Sequence, residues 1–118
     1  MNNQIDKLKQ LIKEFRDERD WQQFHNPKDL SQALSIEASE LSELFLWKSQ
    51  EESYDVVKEK KEALSDEMAD VFAYLLALSN VTGIDLEVAL LNKLEKNKKK
   101  YPADEVKGSS KKYTEYKK

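Results

Sequence analysis

The chain is 118 residues long, the size of one domain, with 36% charged residues, no cysteine, two glycines and two prolines. Its net charge of −3 hides a split, −9 over residues 1–90 and +6 over residues 91–118. These facts exclude a disulfide framework and thiol chemistry, point away from a sheet-rich fold, and leave an acidic body that would repel a nucleic-acid duplex.

A first helix is expected over 3–19, where Ile5, Leu8, Leu11, Ile12 and Phe15 recur at helical spacing. The aromatic connector DWQQFHNP follows it. A second helix should start at Asn26-Pro27, a cap followed by proline at the first helical position, and run to about Lys48. A third is expected over about 51–81, with room for a break near Ser53-Tyr54. Gly83 suits the left-handed residue that closes such a helix. A fourth should span about 85–100, with Asp85 as its cap and Pro102 as its stop.

Composition separates a helical domain, 1–102, from a basic tail, 103–118, read as extended or mobile. Amphipathic helices joined by short connectors predict an all-α protein, a four-helix bundle. The third helix carries Leu64, Met68, Val71, Phe72, Leu75, Leu76 and Leu78, apolar around much of its circumference. Such a helix needs burial on several sides, so a homo-oligomer is expected. No apolar run approaches the roughly 20 residues of a membrane span. The segment MNNQIDKLKQ lacks the apolar core of a signal peptide, so a cytoplasmic location without a membrane partner is expected.

Two carboxylate pairs interrupt apolar stripes. Glu37 falls in the row Leu30, Leu34, Leu41, Leu44, with Glu40 one turn on; Glu67 and Asp70 lie beside Leu64, Met68, Val71 and Leu75. Acidic residues three apart also occur elsewhere in this chain, for example Glu14/Asp17 and Glu59/Glu62, so placement rather than spacing singles these pairs out. Four carboxylates aimed at one core would repel unless a cation sat among them. With no cysteine and with His25 as the sole histidine, away on the connector, the donor set selects Mg²⁺, or Mn²⁺, over zinc or a di-iron centre. The other reading of the same pairs is a set of salt bridges to lysines of a neighbouring subunit.

With these residues in view, the chain resembles the MazG-like all-α nucleoside triphosphate pyrophosphohydrolases, nearest their dCTP pyrophosphatase branch. The resemblance rests on Glu37-Ala-Ser-Glu40, a spacer of 26 residues, and Glu67-Met-Ala-Asp70. ERDWQQFHNPKDL at 18–30, ELFLWK at 43–48, DVFAYLLAL at 70–78, NKLEKNKKKYP at 92–102 and SSKKY at 109–113 extend it. It implies an enzyme in which Glu37, Glu40, Glu67 and Asp70 bind Mg²⁺ and a metal-activated water cleaves a triphosphate between its α and β phosphates. The products would be a nucleoside monophosphate and pyrophosphate, and the role would be clearance of aberrant or excess nucleotides.

By the same resemblance, Trp21, Gln22, Gln23, Phe24 and His25, with Trp47 and Tyr74, read the base and sugar. Aromatic faces stack on bases, and Gln or His can read a base edge. Lys93 and Asn97 would contact the phosphates, and SSKKY would close over the site. Ile12 stands where the branch can carry a substrate-contacting histidine, which leaves the base preference open among dCTP, dUTP, dATP and modified bases. A non-catalytic helical oligomerisation module is the alternative from another class.

Geometry adds one expectation. If the second and third helices run antiparallel, Trp47 and Tyr74 diverge from the carboxylate level, Trp47 by about 10 Å along its helix. One nucleoside would not reach both within a single chain, so a second subunit should complete the site. Family members form dimers or dimers of dimers, and a tetramer is the expectation here.

Overall fold

The structure, a computed structural model, describes residues 3–108; SSKKY and the end of the basic tail lie outside the described residues. Among the described residues there is helix and no strand. The chain falls into two compact units, one ending at Ile84 and one beginning at Asp85.

The first unit contains α1 (Gln4–Glu18), a 3-10 turn (Gln22–Phe24), α2 (Pro27–Glu43), α3 (Gln50–Glu59) and α4 (Lys61–Thr82). Asn3 caps α1 by accepting from the Asp6 N–H, and Asn26 caps α2 by accepting from the Asp29 N–H with Pro27 at the first turn. α4 is the central helix: α1, α2 and α3 all pack against it. Leu30, Val56, Leu76, Ala77 and Ser79 form its buried contacts. Near its end, the Ser79 hydroxyl donates to the Ile84 carbonyl at 2.6 Å and the Asn80 amide donates to the Lys9 carbonyl of α1 at 3.0 Å. Gly83 closes the helix at φ 73°, a left-handed backbone that costs glycine nothing.

Two boundaries differ from expectation. The second helix stops at Glu43 instead of Lys48, because residues 44–47 tighten into i→i−3 turns and Trp47 turns left-handed at φ 62°. The apolar run FLW carries the helical pattern past this point, yet the stop has a signal. Ser49 and Glu52 form a reciprocal capping box that starts a new helix. The long third helix is two helices, α3 and α4, divided at Lys60 (φ −121°, ψ 35°) rather than near Ser53-Tyr54. No glycine or proline marks the break; Val56 on one side and Leu64 on the other hold it through backbone bonds to Lys60 at 2.8 Å each.

The core leaves much apolar surface uncovered. Met68, Phe72 and Leu75, one row of α4, are exposed, as are Leu11 and Phe15 of α1. An open apolar groove of about 310 Å³ runs between Leu8, Leu11 and Ile12 of α1 and Ala69, Phe72 and Leu76 of α4.

The second unit contains α5 (Leu86–Lys100), capped by Asp85 through the Val88 N–H at 3.0 Å, and the single turn α6 (Ala103–Val106). The beginning of the tail is thus helical rather than extended. Among the described residues no single helix is long and apolar enough to cross a membrane.

Candidate metal and nucleotide site

Packing of α2 against α4 sets Glu37 opposite Glu67 and Asp70. Ligand oxygens of these three residues lie within 4.8 Å of one another. Glu37 and Glu67 are half-buried, and each holds a buried Oε2 with no hydrogen-bond partner. A buried carboxylate oxygen without a partner is costly. Burial pushes the Glu37 carboxyl up to about 7, reinforced by its neighbours Glu40, Asp70 and Glu67. Burial also raises Glu67, with the charges of Glu40 and Asp70 adding to it and Glu37 partly offsetting it. Glu40 therefore acts on Glu37 and Glu67 through side-chain contact as well as charge; like Asp70 it is exposed, and its oxygens fall outside the group of three that lie within 4.8 Å of one another.

Among the described residues no ion pair involves any of the four carboxylates, so no described lysine neutralises them. The arrangement fits a hard divalent cation: the donors are all carboxylate oxygens, two are orphaned, and the sole histidine lies outside the cluster.

Asp70 also faces a second feature. A cavity of about 410 Å³ opens beside it, between α1, the connector and α4. Trp21, His25 and Tyr74 line it together with Ile12, Phe15, Ala73 and Ala77. Ala73 and Ala77 follow Asp70 at i+3 and i+7 on α4, and their small side chains leave the volume open. The His25 ring is held below its ordinary pKa by burial and by the nearby Arg16 guanidinium, which favours the neutral imidazole; its Nδ1 is buried without a partner.

Of the connector residues named from sequence, Trp21 and His25 reach the cavity, whereas Gln22, Gln23 and Phe24 do not line it. The Gln23 amide donates to the Asp20 carbonyl at 2.9 Å, and Phe24 is exposed. Trp47 is 91% exposed on the turn after α2, away from the cavity that holds Tyr74. Lys93 and Asn97 sit one turn apart on α5 of the second unit. Sequence reasoning passed over Phe15, Ala73 and Ala77 as pocket residues. Phe15 lay in a regular apolar stripe that read as core, and alanines carry no chemical signal.

Comparison with known proteins gives the chain its family. Residues 33–116 match the model of the MazG-like family. The chain is 42% identical over 113 residues to dCTP pyrophosphatase 1 of Homo sapiens and, at the same identity, of Rattus norvegicus, spanning 94% of this chain and 66% of each relative. It thus spans about two thirds of the length of these relatives. A solved pyrophosphatase from Archaeoglobus fulgidus superposes with a TM-score of 0.82 at 40% identity, covering 86% of this chain and 95% of that one. A family match that takes in Glu37, Glu40, Glu67 and Asp70, on the helical fold of a solved pyrophosphatase, places the chain: it belongs to the MazG-like family.

Proposed function

We propose that the protein hydrolyses nucleoside triphosphates, dCTP or related pyrimidine deoxynucleotides first, to the monophosphate and pyrophosphate. The observation that carries this reading is Asp70, which belongs at once to the carboxylate cluster and to the wall of the aromatic cavity. A base in the cavity thereby brings its phosphates to the carboxylates. The relatives named dCTP pyrophosphatase 1 support the choice of substrate.

Glu37, Glu67 and Asp70, with Glu40 beside them, would hold Mg²⁺, with Mn²⁺ as a substitute. A cation held there would supply positive charge to offset the phosphates and would lower the pKa of a water used for hydrolysis. The chain's own residues do the rest. Trp21 and Tyr74 present ring surface to the base, and His25 offers a neutral ring to its polar edge. Ile12, Phe15, Ala73 and Ala77 exclude water from the same cavity. Gln22, Gln23 and Phe24 shape the connector without lining it. Lys93 and Asn97 are assigned to the phosphates on sequence grounds.

The active form is read as a homo-oligomer, a dimer of dimers. Exposed Leu11, Phe15, Met68, Phe72 and Leu75 support it, since a contiguous apolar surface of this kind marks an interface. Trp47 supports it too. An indole 91% exposed on a left-handed residue is an unfavourable ending for an isolated chain, and a second copy whose base cavity it completes would accommodate it.

The test is incubation with a panel of nucleoside triphosphates and Mg²⁺, separating pyrophosphate from orthophosphate. Pyrophosphate in equal amount to monophosphate, abolished in Glu67→Gln, is the expected result. Release of orthophosphate alone, or full activity in Glu67→Gln, would overturn the reading.

A further inference from the structure

Two of the aromatic rings that bound the cavity are poorly buried. Phe15 is 49% exposed and Trp21 is 43% exposed, so core packing alone does not fix their rotamers. Yet they meet edge to face, with ring centroids 5.9 Å apart and an interplanar angle of 71°. Something else must hold them.

Arg19 lies across the outer side of this pair. Its Cζ stands 3.7 Å from the centroid of the Phe15 ring, within cation–π range. Its Nη1 also donates to the Phe15 carbonyl at 2.9 Å, which satisfies one of the unpaired carbonyls at the end of α1. The guanidinium therefore grips both the ring and the backbone of one residue. Its other neighbour, the Glu18 carboxylate at 3.6 Å, is largely exposed and screened by water, too weak a partner to draw it away.

The backbone then delivers Trp21. Asp20 takes a left-handed turn at φ 55°, a conformation that Asp tolerates better than most residues. The chain folds back so that the Trp21 N–H donates to the Arg16 carbonyl at 3.0 Å, and Gln23 fastens the turn through the Asp20 carbonyl. Arg19 thus touches Phe15, Phe15 meets Trp21 edge to face, and both rings line the cavity.

We propose that Arg19 is a positioning residue for base recognition: it locks Phe15, and Phe15 locks the Trp21 indole in the orientation on which a base stacks. The inference rests on the reading of the cavity as the base pocket. A ring already ordered in the free protein spares the bound state the loss of rotamer freedom, so the lock appears as substrate affinity. Arg19 itself does not line the cavity.

The test compares wild type, Arg19→Met, Trp21→Ala and the double variant. It measures dCTP hydrolysis with Mg²⁺, and inhibition by inorganic tripolyphosphate, which carries the phosphate charge but no base. Arg19→Met is expected to raise the KM for dCTP about 2- to 5-fold, the range of an exposed cation–π contact, with kcat and the tripolyphosphate inhibition constant unchanged. In the Trp21→Ala background the same substitution should add nothing, because its effect passes through that ring. Arg19→Lys, which keeps a cation over Phe15, should recover part of the loss.

An unchanged KM in Arg19→Met would overturn the proposal. So would a parallel shift for tripolyphosphate, the mark of general damage to the fold, or an additive effect in the double variant. If Trp21→Ala itself leaves the dCTP KM unchanged, the base-pocket reading falls and takes this one with it. If Trp21→Ala raises KM and Arg19→Met does not, the brace alone fails. A readout without turnover is the binding of dCMP by calorimetry: its affinity should weaken in Arg19→Met, and an unchanged affinity counts against the brace.

Discussion

The carboxylate centre and the cavity beside it are built on opposite plans, though they share Asp70. The centre sits where α2 and α4 pack face to face, and it concentrates like charges whose buried oxygens have no partner. The cavity takes one wall from α4 and the rest from α1 and a loop, and half-exposed rings form its edge. The first stores electrostatic cost that a bound cation would relieve. The second stores conformational order in a left-handed Asp20, an edge-to-face pair and an arginine lid. Under the proposed function, a site divided this way would keep its chemistry on rigid helices while the loop side is retuned for another base.

The contrast can be broken by substitutions that touch one half at a time. The largest effect is expected from Glu67→Gln, which removes one charge from the centre. Triphosphate turnover should fall by roughly 100- to 1,000-fold, as expected when the metal's hold on the reaction is lost. KM should move little by comparison, and steady-state kinetics would show the split.

Trp21→Ala should do the reverse. A stacked aromatic contributes about 1–3 kcal/mol per base, so KM should rise about 10-fold or more with kcat nearly kept. A fall in kcat alone would mean that the two halves are not separable.

The pH dependence of stability is specific to the centre. Glu37 has its carboxyl pushed up to about 7 in the folded chain, against an ordinary value of 4.5. The folded protein therefore binds more protons than the unfolded one between these values. The stabilising contribution is full below about pH 4.5 and is lost as pH rises through 7. Metal-free protein should show a melting temperature that declines from pH 5 to pH 8. Added Mg²⁺ should restore it most at the alkaline end, where no proton has to leave before the cation binds. Thermal melts of wild type and Glu37→Gln, with and without Mg²⁺, check this; a decline that persists unchanged in Glu37→Gln would assign it elsewhere.

The smallest effect lies outside both halves. Ser49→Ala removes one arm of the capping box that starts α3 and should cost about 1 kcal/mol in urea unfolding while leaving kcat/KM unaltered.

The centre was far more legible in the sequence than the cavity. Glu37, Glu67 and Asp70 were visible because carboxylates in apolar rows violate the helical pattern, and a violated pattern is a local signal. Glu40 shared the spacing, but its exposure depends on how α2 is rotated against α4, which spacing leaves open. On the connector, residue type alone could not separate Trp21 and His25, which reach the cavity, from Gln22, Gln23 and Phe24, which do not. That division follows from the left turn at Asp20 and from which side chain bonds back to the chain. Ala73 and Ala77 were invisible because a void has no sequence signature.

By itself the sequence determined what local rules encode: helical content, the starts of α2 and α5 through Asn26 and Asp85, the stop at Gly83, and an all-carboxylate donor set. Capping and periodicity act within a turn or two of chain, so they can be read along it. Tertiary structure alone decided the break at Lys60, how the carboxylates of α2 and α4 converge, and that Asp70 joins them to a cavity. Each of these depends on the packing of helices distant in the chain, where contact geometry and burial, rather than residue type, set the free energy.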